Sequence, residues 1–205
     1  ALKQGVDISM ITSACTARIM SNHLDEREKA WQLIHSPAVG LSPDKESFAA
    51  MVREALYTGK IIAYAQGFSL MQDASRLYGW NLDLGKIASI FRAGCIIQAV
   101  FLNDITHAFE AEPKPESLIF DGFFLSRINE HQDSLRQAVS TGVMNGLPIP
   151  ALCNAVSYLD EFRAKAAGAN LIQAQRDCFG AHTYERTDRE GVFHHEWRWA
   201  NDNQH

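Results

Sequence analysis

The sequence predicts an all-α fold, a large helical bundle followed by an extended C-terminal tail. Three observations support this prediction. Apolar residues recur at helical spacing along most of the 205-residue chain. Glycine and proline interrupt that spacing at intervals typical of helix ends. Apolar and polar residues alternate nowhere for long enough to predict a sheet.

The first predicted helix begins near Asp7 or Ser9, because either side chain can accept a hydrogen bond from the free N–H groups of a first turn. Its apolar residues keep helical spacing as far as about His35. Ser36-Pro37 ends it, since the residue before a proline disfavours helical backbone. A loop over residues 38–41 follows.

The second predicted helix opens at Ser42-Pro43-Asp44, where a proline fits the first turn, and ends at Gly79. Apolar residues cover nearly its whole circumference. Such a helix is typical of the middle of a bundle, buried on several sides. Gly59 and Gly67 lie inside it at a cost in helix propensity, which predicts close approach by another backbone.

The remaining helices are predicted over residues 84–92, 95–109, 117–143, 151–167 and 170–177, with Gly180 as a left-handed cap. Residues 1–180 are therefore predicted to form one helical domain. Residues 181–205 are polar and aromatic without a helical period. Such a tail needs a surface to lie on, either this subunit or a neighbour.

Composition excludes several classes of function. The formal net charge of −5 argues against nucleic-acid binding through bulk electrostatics. We find no leader and no apolar run long enough to span a bilayer, so a cytoplasmic protein is expected. The cysteines are far apart, which predicts four small buried apolar residues rather than a zinc site or disulfides. They are Cys15, Cys95, Cys153 and Cys178.

Familiar catalytic motifs are absent from the sequence. It contains neither a G-x-G-x-x-G loop nor a G-x-x-x-x-G-K-[ST] loop, and neither H-E-x-x-H nor G-x-S-x-G. His194 and His195 are adjacent and would point in different directions on an extended chain. We interpret them as part of a solvated tail and expect no metal site.

Arg18 and Arg176 lie on the apolar faces of the first and last predicted helices. Arginine on a core-facing stripe is uncommon unless it is paired. One interpretation is an internal ion pair with a buried carboxylate such as Asp104. The other is a phosphate site, because the guanidinium fork matches phosphate oxygens. Spacing alone favours the ion pair. His182, just past Gly180, could support an anion or be ordinary surface.

Three phrases resemble signatures of the decarboxylating 6-phosphogluconate dehydrogenase family. Residues 55–68, ALYTGKIIAYAQGF, resemble the long central helix of that family. Residues 90–97, IFRAGCII, resemble the next signature. Residues 170–184, NLIQAQRDCFGAHTY, followed by Gly191-Val-Phe-His194 and Trp197, resemble the C-terminal one. The resemblance covers essentially residues 1–197, with the three motifs in order at compatible spacing.

The resemblance implies an enzyme that oxidises 6-phosphogluconate with NADP, or NAD in some members, to a 3-keto acid. That acid loses carbon dioxide to give ribulose 5-phosphate in the pentose phosphate pathway, without a metal. It also implies an all-helical domain that forms most of a homodimer, with a tail that passes through the partner subunit. An N-terminal Rossmann domain, absent from this chain, would hold the nucleotide.

Three residues carry over from the family motifs as substrate-binding residues. Arg18 falls where the family has an arginine that binds the substrate phosphate. Arg176 falls where a second phosphate arginine comes from the neighbouring subunit, and His182 where that subunit contributes a histidine. The catalytic lysine and glutamate are expected upstream of Ala1. Cys178 departs from the family, which commonly has tyrosine there.

Two further hypotheses remain open at this point. The chain could act alone as a non-catalytic helical dimerisation module, because the cofactor domain is missing from it. It could also belong to a related hydroxyacid dehydrogenase with another substrate. Cofactor preference cannot be read from this chain, because residues that meet the ribose 2′ position belong to the Rossmann domain.

Overall fold

A computed structural model describes residues 1–35, 37, 39–40, 44–92, 94–166 and 168–197. Within these ranges nearly all of the regular secondary structure is helical, which confirms the all-α prediction. The helices are α1 (Ser9–Ser21), α2 (Leu24–Leu33), α3 (Lys45–Tyr78), α4 (Leu84–Ile90), α5 (Leu102–Glu110), α6 (Gly122–Met144), α7 (Pro150–Arg163) and α8 (Ala169–Gly180). Short 3-10 helices span Leu2–Gln4 and Leu118–Phe120. Strands β1 (Tyr184–Glu185) and β2 (Val192–Phe193) pair antiparallel.

The chain divides into two compact units, Ala1–Leu159 and Asp160–His205. The first contains α1 to α6 and most of α7. The second contains the end of α7, all of α8 and the β1–β2 hairpin. Helix α8 therefore shares a unit with the tail. None of the described helices is both long and apolar enough to cross a membrane.

Helix α3 is the centre of the first unit, as its apolar circumference predicts. It packs against α6 along much of its length and also against α1 and α4. Asp44 caps its first turn by accepting from the N–H groups of Glu46 and Ser47. A Cβ at Gly59 would lie 2.8 Å from Leu152 Cδ2. The close approach predicted there is real, but a side chain makes it rather than another backbone.

Aromatic rings form much of the core around α3. Phe101 makes edge-to-face contacts with Tyr57, Tyr64 and Phe124, with ring centroids 5.4–5.7 Å apart. The geometry is the one that the ring quadrupoles favour. Phe101 and Phe124 are fully or almost fully buried. This cluster joins α3, α5 and α6 and fixes the frame that carries α1.

The prediction of a single first helix as far as His35 is wrong. The structure has two helices, α1 and α2, separated at Asn22 and His23. Ser21 Oγ donates to the carbonyl oxygen of Arg18 at 2.6 Å. His23 leaves helical geometry with a ψ of 62°. Short polar side chains that bond their own backbone compete with helix propagation, and this competition breaks the helix here.

The helix predicted from Cys95 begins instead at Leu102. The carbonyl oxygens of Ile97 and Gln98 accept hydrogen bonds from Tyr64 Oη and Lys60 Nζ of α3. These bonds attach the segment before Leu102 to α3. Further along, Asp121 ends a 3-10 turn and caps α6, so the helix predicted from residue 117 begins at residue 122.

Some predicted features lie wholly or partly outside the described residues. These are the break at Ser36-Pro37, the loop over 38–41, the opening at Ser42-Pro43 and the tail beyond Trp197. All four cysteines are described and none is in a disulfide. Cys15 is exposed, so the prediction that every cysteine is buried is wrong.

Candidate functional site

Arg18 lies in the last turn of α1 with its side chain exposed. Its Nη1 donates to Ser21 Oγ at 2.6 Å and to Asn22 Oδ1 at 2.8 Å. Both acceptors are neutral, so the guanidinium is not held in the internal ion pair that spacing favoured. The prediction that Arg18 faces the core is also wrong. Helical spacing identifies an apolar face, but it does not identify what covers that face.

The position of α1 is set by a buried side chain of α3. Gln66 is fully buried, and its Nε2 donates to Asp7 Oδ1 at 2.9 Å and to Ser9 Oγ at 3.2 Å. Its Oε1 accepts from the N–H of Met10 at 3.1 Å. Asp7 Oδ1 also accepts from the N–H of Ser9 at 2.8 Å. Gln66 thereby accepts from one of the first-turn N–H groups that have no partner within α1. This bond fixes the helix that carries Arg18 against α3.

Arg176 lies on α8 and is also exposed. Its Nη1 donates to Gln173 Oε1 at 3.1 Å, one turn back along the helix. Ile172 and Phe179, at helical spacing on either side of Arg176, are 60% and 75% exposed. The apolar stripe of α8 is therefore on the surface in the described chain, and the core-facing prediction is wrong here too.

His182 lies in a tight turn directly after α8. Ala181 and Thr183, its two neighbours, have positive φ angles of 50° and 61°, which non-glycine residues rarely adopt. The left-handed cap is therefore Ala181. The prediction that Gly180 is the cap is wrong. Gly180 has a different role, because a Cβ there would lie 3.0 Å from Cδ2 and Nε2 of the His182 ring. The absent side chain makes room for that ring.

Asp177 is a functional candidate that sequence reasoning missed. It is fully buried, and its carboxylate accepts from the N–H of Thr183 and from His194 Nδ1, at 3.0 and 2.8 Å on Oδ1. Oδ2 accepts from the N–H of His195 and from Trp197 Nε1, both at 3.0 Å. The sequence signal was weak, since it consisted of one acidic residue before a cap and donors 17 to 20 residues later.

Two opposing effects act on the ionisation of Asp177. Burial by itself raises the pKa of its carboxyl. The hydrogen bonds from His194, the backbone N–H of His195 and the indole of Trp197 outweigh burial and hold that pKa well below its ordinary value. Asp177 is therefore a carboxylate at neutral pH. Of the two adjacent histidines, His194 contacts the carboxylate itself, and the His195 ring packs edge-to-face on Trp197 with centroids 4.9 Å apart.

The hairpin after His182 forms a cleft with α8. The cleft has a volume of about 680 Å³, and Gln173, Tyr184, His195 and Trp197 are among its lining residues. On the hairpin, Phe193 lies under the guanidinium of Arg189 at 4.6 Å. Arg176 and His182 do not line this cleft, so the two predicted site residues belong to the outer surface of the unit.

The structure therefore divides the three predicted residues between the two units. Arg18 belongs to Ala1–Leu159, whereas Arg176 and His182 belong together to Asp160–His205. Among the described residues, no cluster of histidine, cysteine, aspartate and glutamate side chains has the geometry of a metal site. Together the three predicted residues offer two exposed guanidinium groups and an exposed imidazole, which are groups that bind an anion.

Comparison with known proteins identifies the class of protein to which these features belong. Residues 1–197 match the family model for the C-terminal domain of 6-phosphogluconate dehydrogenase. The chain belongs to this family.

Relatives agree with this assignment. The chain is 47% identical over 197 residues to the decarboxylating 6-phosphogluconate dehydrogenase of Lactococcus lactis subsp. lactis, covering 96% of this chain and 42% of the relative. It is 46% identical to that of Staphylococcus aureus strain N315 over the same shares of both chains. The chain therefore spans about two fifths of the length of these relatives.

A solved structure of Plasmodium falciparum 6-phosphogluconate dehydrogenase matches the fold with a TM-score of 0.89. Sequence identity is 38%, and the match covers 96% of this chain and 43% of the other. That protein was studied in its apo form, with its cofactor NADP+ and with its substrate 6-phosphogluconate.

Proposed function

We propose that this chain is the C-terminal part of an enzyme that oxidatively decarboxylates 6-phosphogluconate, and that it binds the substrate phosphate. The observation that carries the proposal is the state of Arg18 and Arg176. Both are exposed, and among the described residues their side chains donate to neutral acceptors, so their charge is available to an anion. Both also stand in the family motifs where phosphate arginines are expected.

In the proposed reaction, the C3 hydroxyl loses a proton and a hydride goes to NADP+. The resulting 3-keto acid releases C1 as carbon dioxide, and the enediolate that remains takes a proton at the former C2 to give ribulose 5-phosphate. This chain contributes binding rather than proton transfer. Its sequence has no glycine-rich phosphate loop, so the proposal assigns NADP to an N-terminal domain. Arg18 and Arg176 would each offer a planar fork to the phosphate oxygens.

We further propose a cytoplasmic homodimer in which Arg18 serves its own subunit while Arg176 and His182 reach the partner's site. The exposed apolar side chains beside Arg176 support this arrangement. Ile172 and Phe179 flank the guanidinium on the surface of α8, and large exposed apolar groups at such a position are typical of a protein interface. The tail is proposed to pack on the partner subunit.

The first experiment measures KM and kcat of the complete dehydrogenase carrying Arg176→Ala. We expect KM for 6-phosphogluconate to rise roughly 10- to 150-fold, because losing a charged hydrogen bond costs about 1.5–3 kcal/mol. Arg18→Lys should also raise KM, since lysine keeps the charge but loses the fork. Arg189→Ala is the matched control, an arginine of the same unit that lies over Phe193. Equal KM values for Arg176→Ala and the control would refute the assignment.

A second experiment tests whether the site is shared between subunits. Heterodimers are prepared from one Arg18→Ala subunit and one Arg176→Ala subunit. If the site is shared, one of the two sites in each heterodimer is intact, and about half of the wild-type activity should return at low substrate concentration. If both arginines serve the same subunit, every site carries one substitution and no activity returns.

A further inference from the structure

Asp177 is the buried ionisable group that the proposed function leaves without a role. It is fully buried on α8, and each of its carboxylate oxygens accepts two hydrogen bonds. We infer that Asp177 is a positioning residue for the sugar-phosphate site, which holds His182 in its binding orientation by tying both sides of the His182 turn to α8. This inference rests on the proposed function, because it assumes that His182 contacts the substrate.

The turn around His182 is fixed on both sides by Asp177. On one side, the N–H of Ala181 donates to the main-chain oxygen of Asp177 at 2.9 Å. On the other side, the N–H of Thr183 donates to Asp177 Oδ1 at 3.0 Å. Both flanking residues have positive φ, a conformation that costs free energy and persists only when neighbouring contacts impose it. Without the carboxylate, Thr183 would lose the acceptor of its N–H and keep the bond from Gln173 Nε2 to its carbonyl oxygen.

The same carboxylate also fixes the chain beyond the hairpin. His194 donates from Nδ1 to Oδ1, while His195 and Trp197 donate from a backbone N–H and an indole N–H to Oδ2. The residues just before and just after the hairpin are therefore hydrogen-bonded to the same side chain, that of Asp177. A displacement of the segment 194–197 would disturb the acceptor that holds Thr183. The position of His182 thus depends on a segment more than ten residues further along the chain.

The chemistry of this cluster requires an ionised carboxylate rather than an amide. Four donors surround two oxygens, and all four can be satisfied only if both oxygens accept. Asparagine has the same shape but only one oxygen. Its NH2 group would face the N–H groups of His195 and Trp197 in one orientation and the N–H of Thr183 in the other, so at least one donor loses its acceptor whichever tautomer His194 adopts. Asp177→Asn is therefore a small change in volume that removes the proposed positioning function.

The test is a double-mutant cycle in the complete dehydrogenase. KM and kcat for 6-phosphogluconate are measured for Asp177→Asn, His182→Ala and the double variant. If Asp177 acts through His182, Asp177→Asn raises KM about tenfold and changes kcat much less. The double variant should then have the KM of His182→Ala alone, because the second change removes nothing further. Asp188→Asn, the same change at an exposed carboxylate of the hairpin loop, is the control and should leave KM unchanged.

The outcomes separate the inference from the proposed function. An unchanged KM for His182→Ala would refute the role of His182 in the proposed function itself. A raised KM for His182→Ala together with an unchanged KM for Asp177→Asn would refute only the positioning inference. The positioning inference would also be refuted if the fold-increases in KM of the two single variants multiply in the double variant. A purely structural role of Asp177 would act independently of His182 and give that result.

Trp197→Phe keeps the inference testable if Asp177→Asn does not accumulate as folded enzyme. It removes one donor from Oδ2 and leaves the charge and the Thr183 contact in place. We expect KM to rise about two- to threefold in the wild-type background and not at all in the His182→Ala background. An equal rise in both backgrounds, or no rise in either, would overturn the inference.

Discussion

Arg176 and Asp177 are consecutive residues of α8 with opposite surroundings, the first exposed and the second fully buried. Successive residues of an α-helix point about 100° apart, so one helix can present a guanidinium outward while a carboxylate holds the tail against its other side. The arginine proposed to bind the substrate phosphate and the carboxylate that holds the tail are therefore covalent neighbours. Several measurable consequences for stability and binding follow from this and related contacts.

Acid is expected to release the tail from α8. The folded-state pKa of Asp177 lies below its ordinary value of 3.8, so its stabilising contribution is complete above that value and is lost as the pH falls below it. The titratable side chain in contact with this carboxylate is His194. The indole N–H signal of Trp197 in NMR spectra should show a step below about pH 4, where the carboxylate is lost.

Asp177→Asn provides the comparison for this acid transition. The variant has no carboxylate at this position, so its Trp197 signal should already be displaced at neutral pH and should show no step near pH 4 or below. A step that persists unchanged in Asp177→Asn would assign the transition to other groups.

Gly180→Ala should impair substrate binding without a direct change to any proposed ligand. The new Cβ would lie 3.0 Å from the His182 ring, so the ring must shift by a few tenths of an ångström from its present position. An off-rotamer side chain costs about 0.5–1.5 kcal/mol, which corresponds to a roughly two- to tenfold rise in KM. Gly168→Ala at the start of the same helix, where a Cβ meets nothing within 4 Å, should leave KM unchanged. Equal KM values in both variants would contradict the role given to Gly180.

Gln66→Leu should destabilise the first unit. The substitution keeps the size of the side chain but leaves the N–H of Met10 and the side chain of Asp7 without their buried partner. An unsatisfied buried group costs roughly 1–3 kcal/mol, measurable as a lower free energy of unfolding in urea. Gln98→Leu, at an exposed glutamine, should change stability little. The prediction fails if the two variants unfold at the same urea concentration.

Two buried or half-buried helical glycines should respond to alanine in opposite directions. At Gly67 a Cβ would make an ordinary contact with Ile11 at 3.9 Å, so alanine should stabilise α3 by about 0.5–1 kcal/mol through helix propensity. At Gly142 a Cβ would overlap Ile149 Cδ1, and overpacking should outweigh that gain and destabilise by about 1–2 kcal/mol. Thermal unfolding of the two variants provides the measurement, and a shift of the same sign in both would contradict the prediction.

Sequence patterns were sufficient to predict the helices and the central position of α3, because burial on all sides leaves an apolar circumference. They were insufficient for the break at Asn22, which depends on Ser21 bonding its own backbone. They also misplaced Arg18 and Arg176. An apolar stripe has the same spacing whether a core or another molecule covers it, and in this chain both arginines are exposed.

The candidate site was predictable to the extent that its residues stand in recognisable motifs. Arg18, Arg176 and His182 were named from such motifs, whereas Asp177 was not named at all. Its partners lie up to 20 residues away and become neighbours only when a short hairpin turns the chain back. No helical or alternating period encodes that reversal, since each strand has only two residues.

The bond between Gln66 and Asp7 also bears on the order in which the protein folds. The first turn of α1 is completed by a side chain 59 residues further along the chain. During synthesis, the segment that carries Arg18 leaves the ribosome before that partner has been made. Closing so long a loop is entropically costly until other contacts offset it. Helix α1 should therefore become ordered only after α3 has been synthesised, so that Arg18 takes its final position late even though it is made before α3.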